Sequence, residues 1–550
     1  MKSTGFLPIT RKEMIDRGWD SVDIVLITGD AYVDHPSFGS AVIGRVLESK
    51  GFRVGIIAMP DWRDPGSIDL FGKPNLFFAV TGGAIDSMLA CYTAFKRKRS
   101  DDPYAPGGRG NKPERAVIVY CNLIKKLYKD VPIVIGGIEA SMRRIAHYDF
   151  WDNKVRRSII EDSRADILVY GMGEKAIAEI AERLSSDKDI EGIPGTAVMA
   201  KNYPAGAFIL PAEEDAVKNK SSFIDLYKLF YLHQQKTLAQ PAGKRFLVHY
   251  PAPAMSSKEL DDVYALPYKR SPHPLYKEPV PAFDMIKNSV TCHRGCVSGC
   301  SFCSLSLHQG RRIISRSRDS VLGEVKAIAD AKDFKGHITD IGGPSANMYG
   351  FRCSKGWKCG RESCLYPSVC PNLLLSVKKW IDLLAAAAHI KGVKSVTIGS
   401  GIRYDIFMMD PDHKAALKAI VKSHISGQLK IAPESTSPRV LRAMRKIPVF
   451  ELMEFIRLFK DCNSMLGKKQ YLIPYFMSCH PGSLYEDMKA TREDVLALFG
   501  FVPDQVQMFI PLPMTLSSVI YYTGIDPVTG ESFKSVGAMQ ERKKQHGIWK

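Results

Sequence analysis

Short, fully apolar runs alternate with longer stretches whose apolar residues recur at helical spacing, and this alternation organises the first third of the chain. Asp23-Ile-Val-Leu-Ile-Thr-Gly-Asp30 is an apolar run closed by glycine and aspartate, the pattern of a strand buried on both faces of a parallel sheet. Over 40–50, Val42, Ile43, Val46 and Leu47 share one helical face, Gly51 supplies a stop, and 52–58 is the next apolar run. Further strands are predicted over 76–80, 133–135 and 167–170. Helices are predicted around Met88 and Ile124 and over 175–184. The alternation predicts an α/β domain over 1–195, an open parallel sheet covered on both faces.

Between 196 and 287 the periodicity weakens. One amphipathic helix is predicted over 223–235. Prolines then crowd the chain (Pro251, Pro253, Pro267, Pro272, Pro274, Pro279 and Pro281) and predict an extended linker, parts of it a packed strap. From 288 to 550 the βα alternation returns. Strands are predicted over 286–290, 337–344, 393–401, 429–435, 470–476 and 506–511. Helices follow over 321–332, 374–390, 414–422, 450–459 and 483–498. Such repetition predicts a partial (β/α)6 barrel with its ligands at the C-terminal strand ends.

Charge and composition narrow the class only a little. Lys and Arg exceed Asp and Glu by 18 in 550 residues, which fits either a solvated basic surface or a polyanionic partner such as RNA. The charge is spread along the chain, and its densest run, Lys96 to Arg99, is followed by Asp101 and Asp102. No apolar stretch is long enough to span a bilayer, and the first twenty residues hold no signal-peptide core, so no membrane partner is expected. Eight of the twelve cysteines fall between 292 and 370, a local clustering that suits reduced thiols in a cytoplasmic protein better than a disulfide framework.

Two sets of residues carry candidate chemistry. At the predicted strand ends of the first domain, Gly29-Asp30, Thr81-Gly82-Gly83, Gly136-Gly137-Ile138-Glu139 and Gly171-Met172-Gly173-Glu174 each pair glycine with a polar residue. They form either a close approach to a ligand or tight turns, and none is a GxGxxG or P-loop. The second set is Cys292-His-Arg-Gly-Cys296-Val-Ser-Gly-Cys300-Ser-Phe-Cys303. Its inner triple, Cys296, Cys300 and Cys303, suits three irons of a [4Fe–4S] cube with the fourth iron left open. Structural zinc, the competing use, wants four ligands in two pairs.

Cys-x3-Cys-x2-Cys after a first barrel strand, with Phe302 just before the last cysteine, resembles the motif of the radical S-adenosylmethionine (SAM) superfamily. The resemblance implies a [4Fe–4S] cluster on Cys296, Cys300 and Cys303 whose open iron takes the amino and carboxylate groups of SAM. An electron then splits the sulfonium, and the 5′-deoxyadenosyl radical abstracts hydrogen from substrate. It also implies SAM contacts at Gly342 and Gly343 (Pro344 stands where a glutamate is usual), at Ser400 and Glu434, and at the backbone of Ile473. A low-potential donor such as flavodoxin or ferredoxin would supply the electron.

More narrowly, Arg294 to Cys303, His308-Gln-Gly-Arg311, Asp340-Ile-Gly-Gly-Pro-Ser-Ala-Asn-Met-Tyr-Gly350, Ala432-Pro-Glu-Ser-Thr-Ser-Pro-Arg-Val-Leu441 and Phe509-Ile-Pro-Leu-Pro-Met-Thr515 resemble the YgiQ family of uncharacterised radical SAM proteins. The first third is similar to the Rossmann-like cobalamin-binding domain that precedes many such barrels. Its Asp34-His35-Pro-Ser-Phe-Gly39 departs from the cobalt-ligating Asp-x-His-x-x-Gly, which leaves cobalamin open and His35 an unsuitable ligand. A second group, Cys353, Cys359, Cys364 and Cys370, forms an insertion over 353–370. It fits an auxiliary iron–sulfur cluster, a structural zinc or reduced thiols. The expected function is a radical SAM enzyme. A cluster-based redox or iron sensor and a zinc-stabilised nucleic-acid-binding protein are the alternatives.

Overall fold

In a computed structural model that describes residues 5–344, 347–447 and 450–550, with Phe450 described by its backbone alone, the apolar runs of the first third are the strands of one sheet. β1 (Ile24–Thr28), β2 (Val54–Ala58), β3 (Phe77–Thr81), β4 (Ile133–Gly136) and β5 (Ile167–Val169) lie parallel in the order β2-β1-β3-β4-β5. Alternate residues serve opposite faces, as the two-residue period of a strand requires. Ile24, Leu26, Val54 and Ile56 pack with Leu47 and Ile177 from helices Gly39–Ser49 and Glu174–Leu184. Val25, Ile27, Ile57 and Val80 pack with Tyr120 and Ile124 from helix Ala116–Leu127. Thr28 is level with Ala58 and Thr81, and Thr81 with Gly136, so the strand ends form one edge.

The sheet does not stop at 195. β6 (Thr196–Ala200), β7 (Phe208–Ile209), β8 (Leu238–Ala242) and β9 (Arg245–Tyr250) extend it to nine strands in the order β7-β8-β9-β6-β5-β4-β3-β1-β2. The extended linker expected from 196 is therefore a correction as far as Tyr250. These strands are antiparallel at the β5-β6, β6-β9 and β9-β8 contacts. They are short, and β8 carries Gln240 and Pro241, so they lack the uniform apolar runs by which β1 to β5 announce themselves. The helix expected over 223–235 is Lys220–His233.

By contact the chain divides into two units, Met1–Pro253 with Asp262–Lys287 and Ala254–Asp261 with Asn288–Lys550. The proline-rich piece of the first unit is a strap. Ser271–Pro272 pairs antiparallel with Val33–Asp34, and the Tyr32 amide donates to the Tyr276 hydroxyl at 2.8 Å.

The second unit is built on β10 (Ser289–Thr291), β11 (His337–Ile338), β12 (Asp340–Gly342), β13 (Ser395–Val396), β14 (Gln428–Glu434), β15 (Tyr471–Ser478) and β16 (Val506–Met508). Parallel pairing joins β10 to β12, β11 to β13, β14 to β15 and β15 to β16. A parallel bridge from Ile402 to Ile431 carries the succession from the β13 segment to β14. Counting β11 and β12 as one interrupted strand, this is a six-step parallel succession, the partial barrel. Val290, Ile341, Val396, Leu429, Ile431 and Leu472 pack outward against Val325, Trp380, Leu417 and Phe455 of the surrounding helices. Their strand neighbours Lys430 and Ile473 therefore face the other way. Trp380 is fully buried, and its indole donates to the Ile341 carbonyl at 2.9 Å, fixing a helix to the strand that ends in Gly342. Among the described residues no helix is long and apolar enough to cross a membrane.

Candidate functional site

The cysteine loop leaves β10 and is held from three sides. His293–Arg294 pairs antiparallel with Ile314–Ser315, and the Cys296 amide donates to the Gly310 carbonyl at 3.1 Å. Ser301 donates through its amide to Met444 and through its hydroxyl to Ala443, binding the loop to helix Pro438–Met444. His480 contacts Ser517, which donates to Ser301, and its ring lies edge-on to Phe302. Gly299 has φ +62, and a Cβ there would lie 2.6 Å from the Glu362 carbonyl, so both the left-handed turn and the space require glycine.

The inner thiols are neighbours. Burial, then the proximity of Cys296 and Cys300, pushes the Cys303 thiol up to about 12, and burial also raises Cys300 against the pull of Arg403. Cys292 is different. It is fully buried, belongs to the aliphatic core between strands and helices, and its amide donates to the Gly342 carbonyl. Among the described residues no group of three or more His, Cys, Asp and Glu side chains converges as the ligands of a single ion would. An iron–sulfur cube asks for something else, one thiolate at each of several separate irons, and three adjacent thiols on one glycine-bearing loop have the chemistry for that.

Charged residues from the later strands surround the loop. Arg403, just beyond the β13 segment, forms a fork on Asp405 and directs Nη1 to Ser298 Oγ at 2.7 Å and Cys300 Sγ at 3.7 Å. Lys446, buried, donates to the Ala432 carbonyl. Glu434, which adds to the repulsion felt at Cys303, takes φ +71 at the end of β14, where the register to β15 slips. A non-glycine residue in that region costs roughly 1–3 kcal/mol, and such outliers cluster at functional sites. Burial raises the Glu434 carboxyl, opposed by Lys446 and Arg403.

Of the remaining expected contacts, Gly342, Gly343 and Ser400 fall at neighbouring strand ends, whereas Ile473 is the third of eight residues in β15. Ser400 is exposed; its hydroxyl and amide donate to Asp340 Oδ1 at 3.0 and 3.1 Å, and Gly399 donates to the same oxygen. Gly342 closes β12. Gly343 lies against His293, whose ring a Cβ would meet at 2.4 Å. Ile473, half-buried, stands opposite Lys430 in β15. Within the run from Asp340 to Gly350, Ser345 and Ala346 lie outside the described residues; Asn347 clamps Arg403, accepting from its amide and donating to its carbonyl. Arg403, Asp405 and Lys446 had no signal in sequence, because lone charged residues in βα loops look like solvated surface.

The insertion backs this loop. Arg352–Cys353 pairs with Leu373–Leu374, Cys364 donates to the Val297 carbonyl, and Leu365, Cys370 and Leu373 share an apolar cluster with Cys296 and Val297. Burial, followed by the nearby Cys370 and Cys359 thiols, pushes Cys364 up to about 11, while Cys359 is exposed.

At the strand ends of the first unit, the chain's own side chains occupy the crevice. Lys112, from the loop over 100–113, donates to Asp30 at 2.5 Å, both side chains at most 3% exposed, and the Ala84 amide adds a bond at 2.6 Å. Glu139, buried, accepts from the Ser87 and Val117 amides. Gly83, at φ +116, has no room for a Cβ, which would fall 2.2 Å from Asp30. His35 is buried, and burial together with Arg270 lowers its pKa. Its Nδ1 lies 3.1 Å from the Ser37 amide and its Nε2 2.9 Å from the Arg270 guanidinium, and a neutral imidazole accepts at one of the two.

A parallel partial barrel with a three-cysteine loop at its first strand is the arrangement of a radical SAM protein, and the comparisons agree: the model of the radical SAM N-terminal domain matches residues 6–289 and that of the radical SAM superfamily residues 290–495. Within that superfamily the chain belongs to the UPF0313, or YgiQ, family. It is 46% identical to a UPF0313 protein of Clostridium botulinum (strain Okra), covering 100% of this chain and 87% of that one. It is also 46% identical to one of Thermotoga petrophila, covering 98% and 97%, and 47% identical to one of Methanocella arvoryzae, covering 98% and 92%. Solved structures share the fold at low identity. The radical SAM methyltransferase TsrM from Kitasatospora setae, solved with tryptophan and a SAM analog, aligns with TM-score 0.52 at 15% identity, over 90% of this chain and 75% of that one. OxsB, a cobalamin-dependent SAM radical enzyme solved with aqua-cobalamin and SAM, aligns with TM-score 0.50 at 12% identity, over 92% and 56%.

Proposed function

We propose that this protein is a radical SAM enzyme that holds a [4Fe–4S] cluster on Cys296, Cys300 and Cys303 and uses it to open SAM and abstract hydrogen from a substrate. The observation that carries the reading is the grouping of these three thiols with two cations, Arg403 and Lys446, and one strained carboxylate, Glu434. When bound, the cluster supplies the electron that breaks the sulfonium carbon–sulfur bond. The protein's share is placement. The cations offset the negative charge that three thiolates bring into a buried loop. Glu434 offers an anionic partner for the SAM ammonium at a site whose Gly-Gly turn ends in Pro344 and carries no carboxylate. Asp340 fixes the exposed Ser400 turn for the ribose or carboxylate, and the backbones of Gly342, Gly343 and Ile473 are the further contacts assigned to SAM.

Cobalamin has no part in this reading. The support for leaving it out is that Asp30 pairs with Lys112 and Glu139 bonds backbone amides at the strand ends where such a sheet would take it, and that His35 is buried beside Arg270. Incubation with excess cobalamin followed by gel filtration is expected to leave no corrin absorbance on the protein; stoichiometric retention would overturn this point. The cluster is assigned to the first loop alone, with the insertion as its packing support, so anaerobic reconstitution is expected to give about four irons per chain. About eight would place a second cluster at Cys353, Cys359, Cys364 and Cys370. Stoichiometric zinc without iron would favour the nucleic-acid-binding alternative, for which the excess positive charge is the support. A low-potential flavodoxin or ferredoxin in the cytoplasm fits as electron donor. SAM binding tests the pocket: Glu434→Gln is expected to weaken it about tenfold in equilibrium dialysis, and unchanged affinity would remove Glu434 from the site.

A further inference from the structure

Arg403 is built unlike an ordinary buried ion pair. Asp405 engages Nε and Nη2, which satisfies one side of the guanidinium and leaves Nη1 with a fixed direction. That nitrogen points into the cysteine loop, at Ser298 Oγ (2.7 Å) and Cys300 Sγ (3.7 Å). The backbone beneath it is locked as well, since the Asn347 amide bonds both the N–H and the C=O of Arg403. Asp405 is 2% exposed and the Arg403 side chain 13%. Four residues from three separate segments thus aim one N–H at one of three neighbouring sulfurs, while sequence gives Arg403 no role.

We infer that Arg403 is a positioning residue that donates a hydrogen bond to the Cys300 sulfur and thereby raises the reduction potential of the cluster bound there. The inference rests on the cluster assignment proposed above. Hydrogen bonds to cluster sulfurs and net local charge are among the factors that set such potentials. A donor favours the state with one more electron, so it eases transfer of that electron from a low-potential donor. Lysine cannot replace it: an ammonium that pairs with Asp405 has no planar third nitrogen to carry to the sulfur.

The test is an EPR-monitored redox titration of anaerobically reconstituted protein, with dithionite as the one-electron reductant. Wild type is compared with Arg403→Lys and with the double variant Arg403→Met/Asp405→Leu, which removes both charges and leaves no buried carboxylate unpaired. Iron content and the absorbance of the cluster are measured first. Arg403→Lys is expected to have a lower midpoint, about tenfold less reduced cluster at a fixed potential, or about 59 mV for one electron. Its Fe–S stretching bands in resonance Raman are expected to lose a deuterium sensitivity that wild type shows. The double variant should move the same way. Equal midpoints and equal deuterium sensitivity in cluster-loaded wild type and Arg403→Lys would overturn the inference. Wild type that takes up no cluster would instead overturn the assignment on which it rests, and the two failures are told apart before any titration begins.

Discussion

At the residue scale, four cysteines within twelve positions separate into two kinds. Cys292 points into the aliphatic core, whereas Cys296, Cys300 and Cys303 occupy the loop beside charged groups. Replacing any one of the three by alanine is expected to reduce iron in reconstituted protein from about four per chain to less than one. Cys292→Ala is expected to retain the iron while losing about 1–2 kcal/mol of stability to the small cavity, a contrast that iron analysis and urea unfolding measure together. Histidines give a second prediction. Burial, with Arg143 and Arg144 adding to it, holds His147 and His249 down to about 3, far below the ordinary 6.5 they regain on unfolding. Between those values only the unfolded chain takes the protons, so the stability they permit is fully present above about pH 6.5 and lost as pH falls. The loss is up to about 1 kcal/mol per pH unit for each. Urea midpoints measured from pH 7 to 5 should fall, and more shallowly in His249→Phe; an identical slope would contradict the assignment. The cysteine spacing made the loop legible in sequence. Arg403 and Asp405 were not legible, because their importance comes from a bond that joins positions 403 and 300, a distance in the chain that no local pattern records.

At the element scale, the strands of the first sheet most visible in sequence are those buried on both faces. Ile24–Thr28 and Val54–Ala58 are uniformly apolar and were found within a residue or two. Leu238–Ala242 and Arg245–Tyr250 mix glutamine, proline, arginine and histidine, and they read as linker because the neighbours that bury them come from elsewhere in the chain. Glycine-polar turns were visible too, but the side chains that meet them are brought from afar, Lys112 above all. Lys112→Met strands the Asp30 carboxylate in a dry site. It is expected to lower the stability of the full chain by about 3–5 kcal/mol, while Asp30→Asn combined with Lys112→Met should restore much of it. Calorimetry on the three proteins checks the cycle, and equal melting temperatures would show that the crevice is wet and open.

At the scale of the whole molecule, one sheet unit and one barrel unit divide the work unequally. The sheet's strand ends are closed by a buried ion pair, and the barrel's carry the thiols, the exposed Ser400 turn and the strained Glu434. The α/β class, with its large mostly parallel sheet, followed from the βα rhythm. The strap was expected from its prolines but its partner, Val33–Asp34, was not, because prolines say that a segment is extended and not what it lies against. Use of a three-cysteine cluster by the barrel unit to open SAM is tested by incubating the anaerobically reconstituted protein with SAM and dithionite and measuring 5′-deoxyadenosine by liquid chromatography. 5′-Deoxyadenosine is expected to accumulate beyond one equivalent per chain and to be absent with Cys296→Ala. A fully loaded cluster that leaves SAM intact would contradict it.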